Sequence, residues 1–156
     1  LPYGRAYDPE TGEGWEGVGV IPHIAVPAEQ ALEVAHAEAL RRLIEAEEDE
    51  RFKAAFQWSL TDVDSRLDPV TLTADELAQY VGTYGPRRIF LEDGVLWYQR
   101  EDRPRHALEP MGEDLFRVGE LDYFRVTFER DDTGAVVRIV GLYNDGNTDG
   151  HDRSAG

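Results

Sequence analysis

The serines of this chain are Ser59, Ser65 and Ser154, and its histidines are His23, His36, His106 and His151. A serine nucleophile needs a base within hydrogen-bond reach and donors for the oxyanion. No serine here sits in a glycine-framed elbow or beside a base in sequence. Ser59 and Ser65 fall in a helical pattern and Ser154 in the tail, so all three read as structural or solvated. A Ser59–Lys53 dyad fails because these helix positions do not share a face. The histidines are scattered without zinc spacing, and cysteine is absent, which rules out disulfides and thiolate metal sites.

Asp145-Gly146-Asn147-Thr148-Asp149-Gly150 fits the first half of a calcium loop, with oxygen ligands at Asp145, Asn147 and Asp149. The twelfth position is Gly156, where a bidentate glutamate is needed. The segment therefore reads as a flexible acidic tail, with no metal and no cofactor expected. Phosphate loops, dinucleotide fingerprints and basic aromatic patches are missing. The densest functional candidate is aromatic: Tyr80, Tyr84, Trp97, Tyr98, Phe116, Tyr123 and Phe124 cluster within one stretch. They can form a small core, or a concave surface for a peptide or apolar ligand presented by Trp97, Tyr98 and Tyr123.

The elements that must position these groups follow from periodicity. Residues 1–13 are punctuated by Pro2, Gly4, Pro9 and Gly12 and read as loop. Val18 to Val26 reads as a short strand interrupted by Pro22, and Pro27 suits the first turn of a helix over about 28–47. Leu32, Ala35, Ala39, Leu43 and Ala46 supply that helix with an apolar stripe. The acidic run Glu45 to Glu50 reads as a solvated helix end. Phe52, Ala55, Phe56, Ser59, Leu60, Val63 and Leu67 predict a second amphipathic helix over about 51–66. Thr73-Ala74-Asp75-Glu76 is a capping box, so a short helix starts at Ala74 and stops near Gly82.

From there the pattern turns to strands. Arg87–Leu91 and Val95–Arg100 flank Asp93-Gly94, a type I′ hairpin signal. His106–Pro110, Asp114–Val118, Tyr123–Arg130 and Ala135–Tyr143 follow. The fold class is α+β: a short strand, two helices, then an antiparallel six-stranded meander, half-open or lipocalin-like.

The net charge is −16, from 32 acidic and 16 basic residues. Such a surface repels nucleic acid and anionic membranes. No apolar run is long enough for a transmembrane helix. The chain begins with Leu1 rather than Met, as a truncated or cleaved product would.

Trp15-Glu16-Gly17-Val18-Gly19-Val20-Ile21-Pro22-His23-Ile24, followed by an Ala/Leu-rich helix, resembles the end of the catalytic domain in tail-specific (C-terminal-processing) serine peptidases. The closer resemblance is to the branch of interphotoreceptor retinoid-binding protein and tricorn protease. His23 departs from that family's usual aspartate. Gly4 to Gly12 resembles the loop before the glutamate, and the match spans residues 1 to about 47. Leu67 to Leu72, Tyr80 to Arg87, Leu96 to Arg100, Leu108 to Met111 and Gly141 to Gly146 resemble the extra C-terminal segment of some bacterial members.

The resemblance implies a parent that hydrolyses peptide bonds in peptide or protein substrates, with its nucleophile upstream of Leu1. It implies a supporting catalytic role for Glu16 and a periplasmic or secreted location. The expected organisation is 1–48 as the end of the peptidase domain, 49–72 as a bridging helix, 73–143 as a β domain and 144–156 as the tail. The chain alone is expected to be inactive. The alternatives are a peptide- or ligand-binding regulatory module and a structural oligomerisation domain. An orphaned strand over Val18 to Val26 predicts self-association.

Overall fold

Asp49 accepts from the Arg51 amide at 2.8 Å and starts a helix where the acidic run ends. Thr73 and Glu76 complete the expected capping box: Thr73 Oγ1 accepts from the Glu76 amide, and Glu76 Oε2 accepts from the Thr73 amide at 2.7 Å. The computed structural model describes residues 7–12, 14 and 22–154. Three helices are described, α1 (Ala31–Ala46), α2 (Glu50–Leu67) and α3 (Ala74–Ala78). None of the described helices is long and apolar enough to cross a membrane.

The chain divides into two compact units, Leu1–Leu32 and Glu33–Gly156. In the first, Tyr7 bridges Gly14 and the Asp8 carboxylate accepts from the Glu10 amide at 2.8 Å. Glu16 and residues 18–21 of the expected first strand lie outside the described residues. Pro22–Val26 is irregular rather than extended pairing, as a segment flanked by two prolines must be when donors are missing.

In the second unit, α1 buries Ala37 and Leu40 against Val63 of α2, with Phe56, Leu60 and Leu67 around them. This corrects the stripe expected for α1: Leu32 is 80% and Leu43 48% exposed. The helix is apolar on two sides, and periodicity alone does not say which side α2 covers.

Eight strands follow: β1 (Gly82–Tyr84), β2 (Arg87–Glu92), β3 (Val95–Arg100), β4 (His106–Gly112), β5 (Leu115–Val118), β6 (Phe124–Arg130), β7 (Val136–Tyr143) and β8 (Thr148–Asp152). They form one antiparallel sheet in sequence order, so the cup expected from the sequence is present with eight strands rather than six. Asp93 and Gly94 both have positive φ, 52° and 77°, as the type I′ turn requires. The expected flexible tail is corrected: Thr148–Asp152 pairs with β7 over five residues. Tyr84 then bridges Arg153, and the Ser154 amide donates to Thr83 O at 2.8 Å, which brings the last strand back to the first.

Inward positions alternate with outward ones along each strand. Tyr84, Ile89, Leu96, Phe116, Val118, Val126 and Ile139 fill the interior. Leu77 and Tyr80, from α3 and the turn after it, join this core and plug one end of the barrel. Tyr80 Oη donates to Asp114 at 2.8 Å, and Arg130 binds the same carboxylate at 2.9 Å. Hairpins alternate between ends, so the β1–β2, β3–β4, β5–β6 and β7–β8 connections gather at the opposite end.

Helix α2 docks on the outer face of the sheet. Trp58 Nε1 donates to Asp122 O at 2.9 Å, and Arg125 Nη2 donates to Trp58 O at 2.9 Å. The Arg125 guanidinium lies 3.9 Å from the Trp58 ring centroid. Burial lowers the Arg125 pKa to about 10 despite Asp62 at 3.6 Å. Asp62 also pairs with Arg117 at 2.6 Å and with Arg66. Burial would raise the Asp62 pKa, but the arginines beside it outweigh that and hold it below the usual carboxylate range. A helix with Trp58 and Asp62 one turn apart is thereby pinned to β5 and β6.

Candidate functional site: the open mouth of the barrel

The register brings one ring of inward side chains to the unplugged end. Tyr98 on β3 stands opposite His106 on β4, Phe124 on β6 opposite Tyr143 on β7, and Arg87 on β2 opposite Arg100 on β3. These residues are paired across strands and so leave the same face of the sheet. A cavity of about 440 Å³ opens there. Tyr98, Phe124, Tyr143 and Tyr123 form its walls with Leu121, and Arg100, Arg103, Pro104 and His106 its rim. The volume lies in the range of small-molecule sites, and barrel mouths are a common place for them.

The walls are rigidly set. Phe124 meets Tyr98 edge-on at 5.7 Å between centroids and Tyr143 at 4.9 Å. Tyr98 is 5% exposed, and its Oη accepts from Arg87 Nε at 3.2 Å. No acceptor for the Tyr98 hydroxyl proton occurs among the described residues. Burial raises the Tyr98 pKa against the opposing pull of Arg87, so the group is a neutral phenol with a proton to give.

Arg87 is fully buried. Its Nη1 donates to Asp149 O at 3.1 Å, and its Nη2 binds the Asp149 carboxylate. Burial would lower its pKa, but the Asp149 hydrogen bond outweighs this, and the guanidinium stays charged. Gly141 of β7 makes room for the pair. A Cβ there would meet the Asp149 carboxylate, Arg87 Nη2 at 2.6 Å and Phe124 at 2.8 Å.

Arg100 and Arg103 differ from Arg87: neither has an ion-pair partner among the described residues. Their loop is held by main-chain bonds. The Glu101 amide donates to Pro86 O at 2.9 Å, and Gln99 Nε2 donates to Arg103 O at 3.0 Å.

Of the residues expected to present a ligand surface, Tyr98 and Tyr123 line this cavity. Trp97 does not. It precedes Tyr98 on a pleated strand, so it leaves the opposite, outer face, where Arg105 stacks at 4.3 Å from its ring centroid. Sequence reasoning had Phe124 in its aromatic set and missed Arg100, His106 and Tyr143 as partners. Their shared face depends on register across four strands, although the i, i+2 spacing of Tyr98 and Arg100 already carried part of the signal.

The remaining candidates are placed elsewhere. Asp145 accepts from the Asn147 amide at 2.9 Å and from its side chain at 2.8 Å in the β7–β8 turn. Asp149 turns away from both toward Arg87. No group of three or more His, Asp or Glu is arranged to hold a metal among the described residues. Ser59 Oγ donates to Ala55 O at 3.1 Å, and Ser65 Oγ donates to Asp62 O at 2.9 Å, both within α2. Ser154 is exposed beside the closing bridge. Lys53 pairs with Glu50 at 3.7 Å. Glu16 lies outside the described residues.

No protein-family model matches the chain, and no curated protein matches it.

Proposed function

We propose that the barrel is a non-catalytic binding module that takes a small, largely aromatic ligand in its open mouth. The observation that carries this reading is the cavity of about 440 Å³ walled by Tyr98, Phe124, Tyr143 and Tyr123 at the end that α3 leaves uncovered. A packed core elsewhere in the barrel holds this wall in place, as a preformed site needs. Saturation-transfer NMR with a panel of fused-ring fragments tests it on the whole chain. Binding is expected, and Tyr123→Ala is expected to weaken it without loss of fold, since Tyr123 is 52% exposed. No binding, or binding indifferent to Tyr123→Ala, overturns the reading.

The resemblance of residues 1–47 to the tail-specific peptidases supports a second reading. In it the module is carried on the C-terminal side of a serine-type peptidase, and the chain alone does not hydrolyse peptides. Ser59 and Ser65 support this reading, because their hydroxyls are spent on helix carbonyls. Fluorophosphonate labelling of native and heat-denatured chain, read by intact mass, tests it. Labelling confined to the native sample would mean that one of the three serines is activated, against this reading.

A further inference from the structure

We infer that the mouth of the barrel is a carboxylate site: its ligand is a small aromatic acid whose ring lies on the Tyr98–Phe124–Tyr143 wall and whose carboxylate meets Arg100, Arg103 and the Tyr98 hydroxyl. The inference rests on the binding-module reading and adds the charge class of the ligand.

The first argument is the cross-strand pair Arg87 and Arg100. Like charges directly opposite each other on one sheet face repel. Arg87 is neutralised by Asp149, and Arg100 has no counter-charge among the described residues. In a chain with 32 acidic and 16 basic residues, partners are in excess, yet Arg100 and Arg103 reach none among the described residues. An anion in the cavity supplies the missing charge.

The second argument is the Tyr98 hydroxyl. It is buried, its lone pair is engaged by Arg87, and its proton faces no acceptor among the described residues. A buried donor without a partner is costly, and a ligand that offers only an acceptor satisfies it. A carboxylate accepts and never donates, so it suits a phenol and two guanidinium groups at once. Arg100 follows Tyr98 by two residues on β3 and shares its face. One ligand oxygen pair can therefore reach both. The aromatic walls favour a planar body over an aliphatic chain by offering edge and face contacts.

Glu101 and Asp102 lie between Arg100 and Arg103 in sequence, and no ion pair joins them to either arginine among the described residues. Asp149 is committed to Arg87, and Asp62 to Arg66 and Arg117 on the far side of β5. The net charge of −16 slows the approach of an anion, so the site relies on local contacts rather than on long-range steering.

Titration calorimetry of the whole chain with naphthalene-2-carboxylate and with naphthalene-2-carboxamide is the test. The two probes share a ring and nearly a shape, and differ in charge and in the ability to donate. The carboxylate is expected to bind about tenfold tighter than the amide, the size of one charge-assisted contact. In Arg100→Met the ratio is expected to fall to about threefold or less, with the thermal midpoint unchanged or raised because a like-charge pair is gone. Arg103→Ala, on an exposed rim, is the second variant and is expected to reduce the ratio with no change of fold. Equal binding of the two probes overturns the carboxylate inference and leaves the binding module standing. Binding of neither overturns both. A ratio that survives in both variants also overturns the inference, because the charge would then be read elsewhere.

Discussion

Arg87 and Asp149 are joined twice, the guanidinium binding both the carboxylate and the main-chain carbonyl of the aspartate. A side chain thus takes the place of ladder bonds where β8 runs past the end of β1. Arg153 does the same further along, donating to Val136 O at 3.1 Å and to Val81 O. Two arginines and one backbone bridge therefore close the barrel.

Asp149→Asn is expected to destabilise the chain by about 2–3 kcal/mol, because Arg87 remains fully buried with its charge uncompensated. Urea denaturation measures this. The double variant Arg87→Met/Asp149→Asn is expected to recover much of the loss, since an apolar side chain of similar length needs no partner. If the single variant is neutral, the pair does not close the barrel.

Gly141→Ala is expected to cost about 1–3 kcal/mol by overpacking. The added methyl would press on the Asp149 carboxylate and Arg87 Nη2, which are held to each other, and on the Phe124 ring. The same substitution should weaken any ligand held against Phe124. A melt of the variant with and without naphthalene-2-carboxylate checks both effects.

Acid stability should carry the signature of Asp114. Burial alone would raise its pKa, but hydrogen bonds from Arg130 and Tyr80 hold it below the usual carboxylate range. The unfolded chain then binds this proton first as pH falls. Its stabilisation is fully present above the unfolded value of about 3.9 and is lost as pH drops through the folded value. Asp114→Asn is expected to lower the thermal midpoint at pH 7 and to flatten the acid limb between about pH 4 and 2. Asp62, held low by Arg117 and Arg66, keeps part of that limb in the variant.

Thr73→Ala is expected to cost about 1 kcal/mol, the usual worth of an N-cap. It removes the hydroxyl that accepts from the Glu76 amide and donates to the Glu76 carboxylate, and leaves the main-chain half of the capping box in place. Because Leu77 and Tyr80 plug the barrel, hydrogen exchange should rise at this end and leave β6 and β7 unchanged. Uniform acceleration across the sheet would show that α3 is no separate plug.

Much of the fold was legible because local signals were strong. The capping box, the Asp93-Gly94 turn and the alternation of Phe124, Val126 and Phe128 each fix a short stretch without distant help. Strand β8 was not legible. Its sequence, Thr-Asp-Gly-His-Asp, has no apolar alternation, since its contacts are to the Arg87 and Arg138 side chains rather than to a greasy core. Strand β1 was hidden for another reason: three residues are too few to show a period. The α1 stripe was misassigned because Leu32, Ala35 and Leu43 compete with Val34, Ala37 and Leu40, and α2 decides between them.

The candidate site was legible in its walls and not in its chemistry. Tyr98 and Tyr123 stood out as aromatics. The pairing of Arg87 with Asp149, which leaves Arg100 without an ion pair among the described residues, joins residues that are 62 apart in sequence. No local window contains that information.

The order of strands also sets an order in time. Each neighbour in the sheet is the next strand in sequence, so seven hairpin contacts can zip locally with little loop to close. The closing contacts, Tyr84 with Arg153 and Arg87 with Asp149, must wait until the whole meander exists. They are expected to form last and to open first, as the latch on a ribbon whose other contacts are local.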